Sequence, residues 1–241
     1  VNEALSGSVA WDGKVGIDLP YHAGATYNVE LNGDLNNVSS HLPSPLAKPA
    51  GEPLPVNVKV DGNLNSFELT GQAGADNHFN SRWLLGQKLT LDRAIWAADS
   101  KTLPPLPEQS GVELNMPPMN GAEWLALFQK GAAESVGGAA SFPQHITLRT
   151  PMLSLGNQQW NNLSIVSQPT ANGTLVEAQG RESNATLAMR NNAPWLANIK
   201  YLYYNPSVAK TRGDSTQSSP FPTTERINFR GWPDAQIRCT E

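Results

Sequence analysis

The chain reads as a mainly β protein: a long antiparallel sheet, apolar on one face and wet on the other, broken by one short amphipathic helix. Three observations point there. Apolar and polar residues alternate with a period of two through most of the sequence. Strand-length runs recur about every ten residues, with turn residues between them. Only residues 120–136, NGAEWLALFQKGAAESV, keep helical time.

In the first run, Val15, Ile17, Leu19 and Tyr21 alternate with Lys14, Gly16, Asp18 and Pro20. Tyr27, Val29 and Leu31 then alternate with Asn28, Glu30 and Asn32, and residues 22–25 between them are hairpin-sized. Such sidedness marks an antiparallel sheet solvated on one face, not a doubly covered parallel one. Residues 36–55 interrupt it with Pro43, Pro45, Pro49, Pro53 and Pro55. Proline cannot donate to a ladder, so this stretch is expected along a sheet margin, blocking edge pairing, with Leu42, Leu46 and Leu54 turned inward. Val56, Val58 and Val60 resume the alternation, and Asp61-Gly62 reads as a turn. Phe67 and Leu69, Phe79 and Trp83, Leu89 and Leu91, and Ile95 continue it. A second proline-rich turn (103–107, LPPLP) precedes Val112, Leu114 and Met116.

The helix follows. Asn120 is a good N-cap, and Glu123 three residues on completes a capping-box pattern. Pro117-Pro118 and Gly137-Gly138 bound it. Trp124, Leu125, Leu127, Phe128, Ala132 and Val136 form one broad stripe. A helix this short is not stable alone, so Trp124, Leu125, Leu127 and Phe128 are expected to dock on the sheet's apolar face and narrow it.

The second half repeats the pattern: Ile146 and Leu148, Leu153 and Leu155, Leu163 and Ile165, Leu175, then Leu187 and Met189. Turns are expected at Gly156-Asn157, Asn172-Gly173 and Asn191-Asn192. Residues 194–204 fit a helix through Trp195, Ile199 and Leu202, or a strand through Ile199, Tyr201 and Tyr203; aromatic and β-branched content favours the strand. Residues 205–224 read as a long mobile polar loop, and Ile227 with Phe229 as a further strand, Ile237 beginning another. The organisation is thus a strand run (1–118), a helix and turn (119–138), and a second strand run (139–241).

The 241 residues are 39% apolar, enough for a core, but only 16% charged. That composition suits solvated sheet faces and is common outside the cytoplasm. A net charge of -4 gives no footprint for nucleic acid. One cysteine, Cys239, excludes an internal disulfide framework. The chain starts at Val1 without Met and holds no signal peptide or apolar run of about 18 residues, so it reads as a piece of a longer protein.

No catalytic motif stands out. The four histidines, at 22, 41, 78 and 145, lie in or beside turns and never at metal-ligand spacing, so no metal or cofactor is expected. There is no G-x-S-x-G elbow and no phosphate-cradling loop, and the acidic residues are scattered singly. Arg212-Gly213-Asp214 and the sequons at Asn37, Asn162, Asn172 and Asn184 are short enough to arise by chance. Seven tryptophans spread evenly along the strands fit core or groove lining better than sugar platforms. One-faced strands in this number must close into a barrel, fold into a sandwich or curl around something greasy. The proline-rich margins favour an open sheet.

The run GDLNNVSSHLPSPLAKPAGEPLPVNVKVDG (Gly33–Gly62) resembles the AsmA-like and TamB-like envelope lipid-transport proteins. TLRTPMLSLGNQQWNNLSI and PWLANIKYLYYN resemble the same family's repeating C-terminal portion. The resemblance covers essentially the whole chain, and the LP-PL-KPAGE string is its most specific part. It implies a curled antiparallel sheet, a β-taco, whose apolar groove carries phospholipid acyl chains toward the outer membrane of Gram-negative bacteria. It further implies a periplasmic location, an inner-membrane anchor in a segment absent from this chain, adjoining segments of the same longer chain as partners, and no catalytic residues. The family's lipid surface is transferred only to positions in the apolar phase. In the first half these are Ile17, Leu19, Val29, Leu31, Val58, Val60, Leu69, Leu114 and Met116. In the second they are Leu148, Leu163, Ile165, Leu187, Met189, Ile199, Tyr201 and Phe229. Aspartate at Leu148 is expected to stop lipid passage, and aspartate at Thr147, on the opposite phase, to be nearly silent. The rival readings are a closed β-sandwich or adhesin-like module binding carbohydrate, and a β-rich hydrolase.

Overall fold

The computed structural model of the chain describes residues 5–21, 24–126, 140–206 and 236–239, the last four and 140–141 as backbone only. In chain order its strands are β1 (Leu5–Ser6), β2 (Trp11–Asp18), β3 (Thr26–Asp34), β4 (Ser39–Ser40), β5 (Pro55–Asn63) and β6 (Ser66–Ala73). Then come β7 (Asn77–Leu85), β8 (Leu89–Ala98), β9 (Gly111–Asn115), β10 (Met119–Asn120), β11 (Ala140–Ser141) and β12 (Ile146–Leu155). The last are β13 (Gln158–Thr170), β14 (Gly173–Gln179), β15 (Ser183–Arg190), β16 (Leu196–Leu202) and β17 (Gln236–Cys239). β1 and β4 pair by themselves. All the others join one fifteen-stranded sheet in the order β2-β3-β5-β6-β7-β8-β9-β12-β13-β14-β15-β16-β17, with β10 beside β12 and β11 beside β8. Among the described residues this sheet does not close; β2 and β17 are its edges.

Local chemistry accounts for most of the hairpins. Gly156, at φ 60, opens the two-residue turn that sets Leu155 opposite Gln158. The expected turn at Asp61-Gly62 lies instead at 64–65: β5 runs on to Asn63, whose Oδ1 accepts from the backbone N–H groups of Asn65 and Ser66. Residues 196–202 are a strand, as their aromatic and β-branched content indicates.

The sheet is not antiparallel throughout. β9 lies parallel to both β8 and β12, and β17 parallel to β16. The connection 99–110 returns the chain to the starting end of β8, and the helix-bearing connection 116–145 does the same after β9; a long return makes the next strand parallel. The first connection lies on the polar face. There Asn80 Nδ2 donates to Pro104 O at 3.3 Å, and Arg93 Nη1 donates to Pro107 O and Glu108 O. Ile95 is buried on the same face.

Residues 121–126 are helical. Asn120 caps them as expected, its Oδ1 accepting from Ala122 N at 3.1 Å and its Nδ2 donating to Glu123 Oε1 at 2.8 Å. Trp124 packs on the buried cluster Ala98, Met116 and Met119, beside Trp96, Leu114, Leu148 and Leu153. Leu125 does not face the sheet; half of it is exposed (50%), because it leaves the helix about 100° round from Trp124. Leu127 and Phe128 lie outside the described residues.

The proline-rich segment 35–54 runs across strand ends, not within the sheet. Asp34 Oδ1 roots it by accepting from Asn36 N and Leu54 N. Ser40 and Lys48 bridge across it, and Lys48 Nζ donates to Val38 O and Pro49 O. Its far point meets the helix, where Trp124 Nε1 donates to Ser44 O at 3.0 Å.

One turn is held by a carboxylate. Glu182, only 6% exposed, sits between β14 and β15 and accepts from Asn161 N, Asn161 Nδ2 and Asn205 Nδ2. Desolvation pushes its pKa up, but these donors and its own backbone N–H outweigh that and hold it below 4.5. A depressed folded-state pKa contributes stability above the unfolded value, and that stability is lost as pH falls through the folded one. Glu182→Gln should therefore lower stability at pH 7 by about 1–3 kcal/mol. Its deficit against the parent should shrink below about pH 4.5, read from urea midpoints across pH.

Candidate functional site

Cross-strand partners point to the same face of a sheet, so the register shows which side chains share a surface. One row runs unbroken from edge to edge. It begins Gly13, Leu31, Val58, Gly71, Phe79, Trp96 and Leu114. It continues Leu148, Ile165, Ala178, Ala185, Ile199 and Cys239. No charged residue or amide interrupts it. The next row on that face begins Val15, Val29, Val60, Leu69, Ser81, Ala94 and Val112, and ends Ile146, Ser167, Val176, Leu187, Ala197 and Ile237. The row between them, one residue along each strand, faces the other way: Lys14, Glu30, Lys59, Thr70, Asn80 and Ile95 lead it, and Glu177, Thr186 and Asn198 follow at its far end.

Most side chains of the apolar face are half-buried, and those of the edge strand β2 are more exposed. Val15 and Ile17 remain 68% and 69% exposed, and no large side chain of the described residues is fully buried. The Trp124 helix shields one patch, over β8, β9 and β12. An apolar surface of this extent, exposed on a chain of this size, marks an interaction site.

The floor is smoothed by glycine. Gly33 lies under the Trp11 ring, Gly62 under Tyr27 and Gly71 under Phe79, each glycine directly paired with its aromatic neighbour. A Cβ at Gly62 would stand 2.6 Å from the Tyr27 ring, and one at Gly71 would intrude on Phe79. The rings therefore lie flat on the sheet and present their faces. Gly71→Ala should cost about 1–3 kcal/mol by forcing Phe79 upright. Phe79→Ala in the same chain should recover part of that loss, so a double-mutant cycle from denaturation midpoints should be non-additive.

The register places Val29, Leu31, Val58, Val60, Leu69, Leu114, Leu148, Ile165, Leu187 and Ile199 together in these two rows. Ile17 pairs Tyr27, Leu163 pairs Thr150 and Met189 pairs Thr174, on the flanking rows of the same face. Met116 is buried in the cluster under Trp124. Two expectations fail. Leu19 falls beyond β2, which ends at Asp18, and is 73% exposed. Tyr201 sits opposite Asn184, on the polar phase, because a bulge between Asn184 and Ala185 shifts the register of β16. Phe229 lies outside the described residues. The groove-lining candidates omitted Phe79, which the alternation had named, and Trp96, and the alternation took Ile95 for the apolar phase of β8. Trp96 and Ala94 share one phase, and a register shift opposite Arg82 and Trp83 puts Leu91 on the apolar face and Ile95 on the polar one.

A family model described as "YhdP protein" matches residues 1–241. The chain is 98% identical over its whole length to the intermembrane phospholipid transporter YhdP of Escherichia coli (strain K12), of which it spans 19%. No solved structure matches.

Proposed function

The chain belongs to the YhdP family, and from that premise we propose that its apolar face is one section of a trough along which phospholipid acyl chains travel between two membranes. The observation that carries the reading is the pair of adjoining rows, apolar but for two serines, that cross the sheet from β2 to β17 with their described side chains mostly half-buried and no large one fully buried. Acyl chains leave water for such a surface at about 25 cal/mol per Å² of apolar area removed. A floor of flat rings and small residues offers neighbouring positions of similar energy, so a chain slides without being trapped. Headgroups stay at the wet margins. The work is partition and guidance, with no covalent step, no cofactor and no nucleic acid.

Among the described residues β2 exposes its apolar side chains and one backbone side that pairs with no strand, which supports adjoining segments of a longer protein as its neighbours. No helix among the described residues is long and apolar enough to cross a membrane. A periplasmic position, with the inner-membrane anchor elsewhere in the longer chain, accords with the wet polar face and low charge. A closed sandwich would need a second large sheet on the apolar face, where the described residues have only the Trp124 helix and the two-stranded β1–β4 ladder apart. The test uses the full-length protein with a photo-crosslinking side chain at Val60, on the apolar phase, or at Lys59, on the polar phase. Lipid adducts are expected from 60 and not from 59. Equal capture at both positions would remove the reading.

A further inference from the structure

Strands in this sheet make substantial contact only with their ladder neighbours. A sheet so built is soft in one respect: nothing in a ladder fixes how sharply it bends over many strands. Among the described residues, residues 203–206 bond back to Gln158 and Gln159 at the start of β13, and a second contact outside the ladder joins segment 35–54 to the helix. Segment 35–54 is rooted where β3 ends and β5 begins, by Asp34 and by Leu35 N donating to Leu54 O. The helix 121–126 is rooted on β12 through β10, and its Trp124 packs on the cluster of Ala98, Met116 and Met119. β5 and β12 are separated by β6, β7, β8 and β9, about 24 Å along the sheet at ordinary strand spacing. Trp124 Nε1 and Ser44 O close that distance with a hydrogen bond of 3.0 Å.

We infer that the Trp124–Ser44 contact is a tie that sets the bend of the sheet between β5 and β12, and with it the width of the trough at its middle. The inference rests on the conduction reading for its consequence, though not for its geometry. The segment is braced for tension: Lys48, buried, grips Val38 O and Pro49 O from within, and Ser40 and Lys48 exchange backbone hydrogen bonds. The helix end is braced too, by its Asn120 cap and by the sulfur-rich cluster of Met116 and Met119 under the indole. The indole serves two purposes at once, packing on the apolar face and donating to the strap. Phenylalanine would keep the first and lose the second. Trp124 is thus a positioning residue for lipid passage, acting through the shape of the sheet.

The test is a distance measurement in the full-length protein. Spin labels go on Leu64→Cys and Ala171→Cys, two exposed turn residues at the same end of β5 and β13, in a Cys239→Ser background. Trp124→Phe should lengthen and broaden the distance distribution between the labels, and Leu125→Ala, one residue on and exposed, should leave it unchanged. The crosslinking probe at Val60 is read in the same proteins. A distribution identical in the parent and Trp124→Phe overturns the tie, whatever the probe captures. A broadened distribution with no lipid at Val60 upholds the tie as a device of the fold and counts against conduction. A broadened distribution with altered lipid capture supports both.

Discussion

Ile199→Asp in the full-length protein should bring lipid passage close to zero, while Asn198→Asp, one residue away, should leave it near the parental level. Ile199 pairs with Ala185 in the apolar row; Asn198 pairs with Thr186 and is exposed on the polar face. An aspartate at 199 is hydrated while the trough is empty. When an acyl chain arrives, the carboxylate must lose that water or hold it inside an apolar surface, and either costs several kcal/mol. Each 1.4 kcal/mol added to the barrier slows passage tenfold, so a single charge suffices. At 198 the charge meets only solvent, where substitutions usually shift stability by less than about 0.5 kcal/mol. Lipid transport in cells, with protein levels matched, reads the difference. Comparable loss from both substitutions would sink the sidedness argument. Thr147 cannot serve as the silent control that the alternation suggests: it is only 7% exposed, buried on the polar phase between Glu113 and Val166. An aspartate there would disturb the fold itself.

The second large effect belongs to Trp124. Its ring is half-buried on Ala98, Met116 and Met119, so Trp124→Ala should cost about 2–3 kcal/mol, below the range for a fully buried tryptophan. Leu125→Ala should change stability by less than about 0.5 kcal/mol, because that side chain leaves the sheet. Urea midpoints of the two variants against the parent decide it. Equal losses would mean that the helix docks by a different face.

These predictions divide along what the sequence carried. Val58 and Lys59 already stood on opposite faces in the alternation, and the register confirmed them, because a strand's side chains alternate by local backbone geometry. Asn120 announced its cap for the same reason: the groups it satisfies are two and three residues away. The open, mainly antiparallel sheet followed from many such local signals agreeing.

Where a residue's surroundings depended on distant chain, the alternation misled. Ile95 reads in phase with Leu91, yet a register shift against β7 turns it to the polar face, where it is buried. Tyr201 reads in phase with Ile199, and a bulge against β15 turns it out. Trp124 and Ser44 stand 80 residues apart, and no spacing rule joins them. By itself, then, the sequence determined most of the sidedness, the turns at Gly156-Asn157 and Asn191-Asn192 and the helix start, since each is settled within a few residues by φ, ψ and hydrogen-bonding reach. The turns expected at Asp61-Gly62 and Asn172-Gly173 fall at 64–65 and 171–172. Only the tertiary structure decided strand order, the parallel pairs, the flattened aromatic floor and the tie across it. Those depend on which strands meet, and that choice minimises exposed apolar area and unpaired backbone over the whole sheet at once.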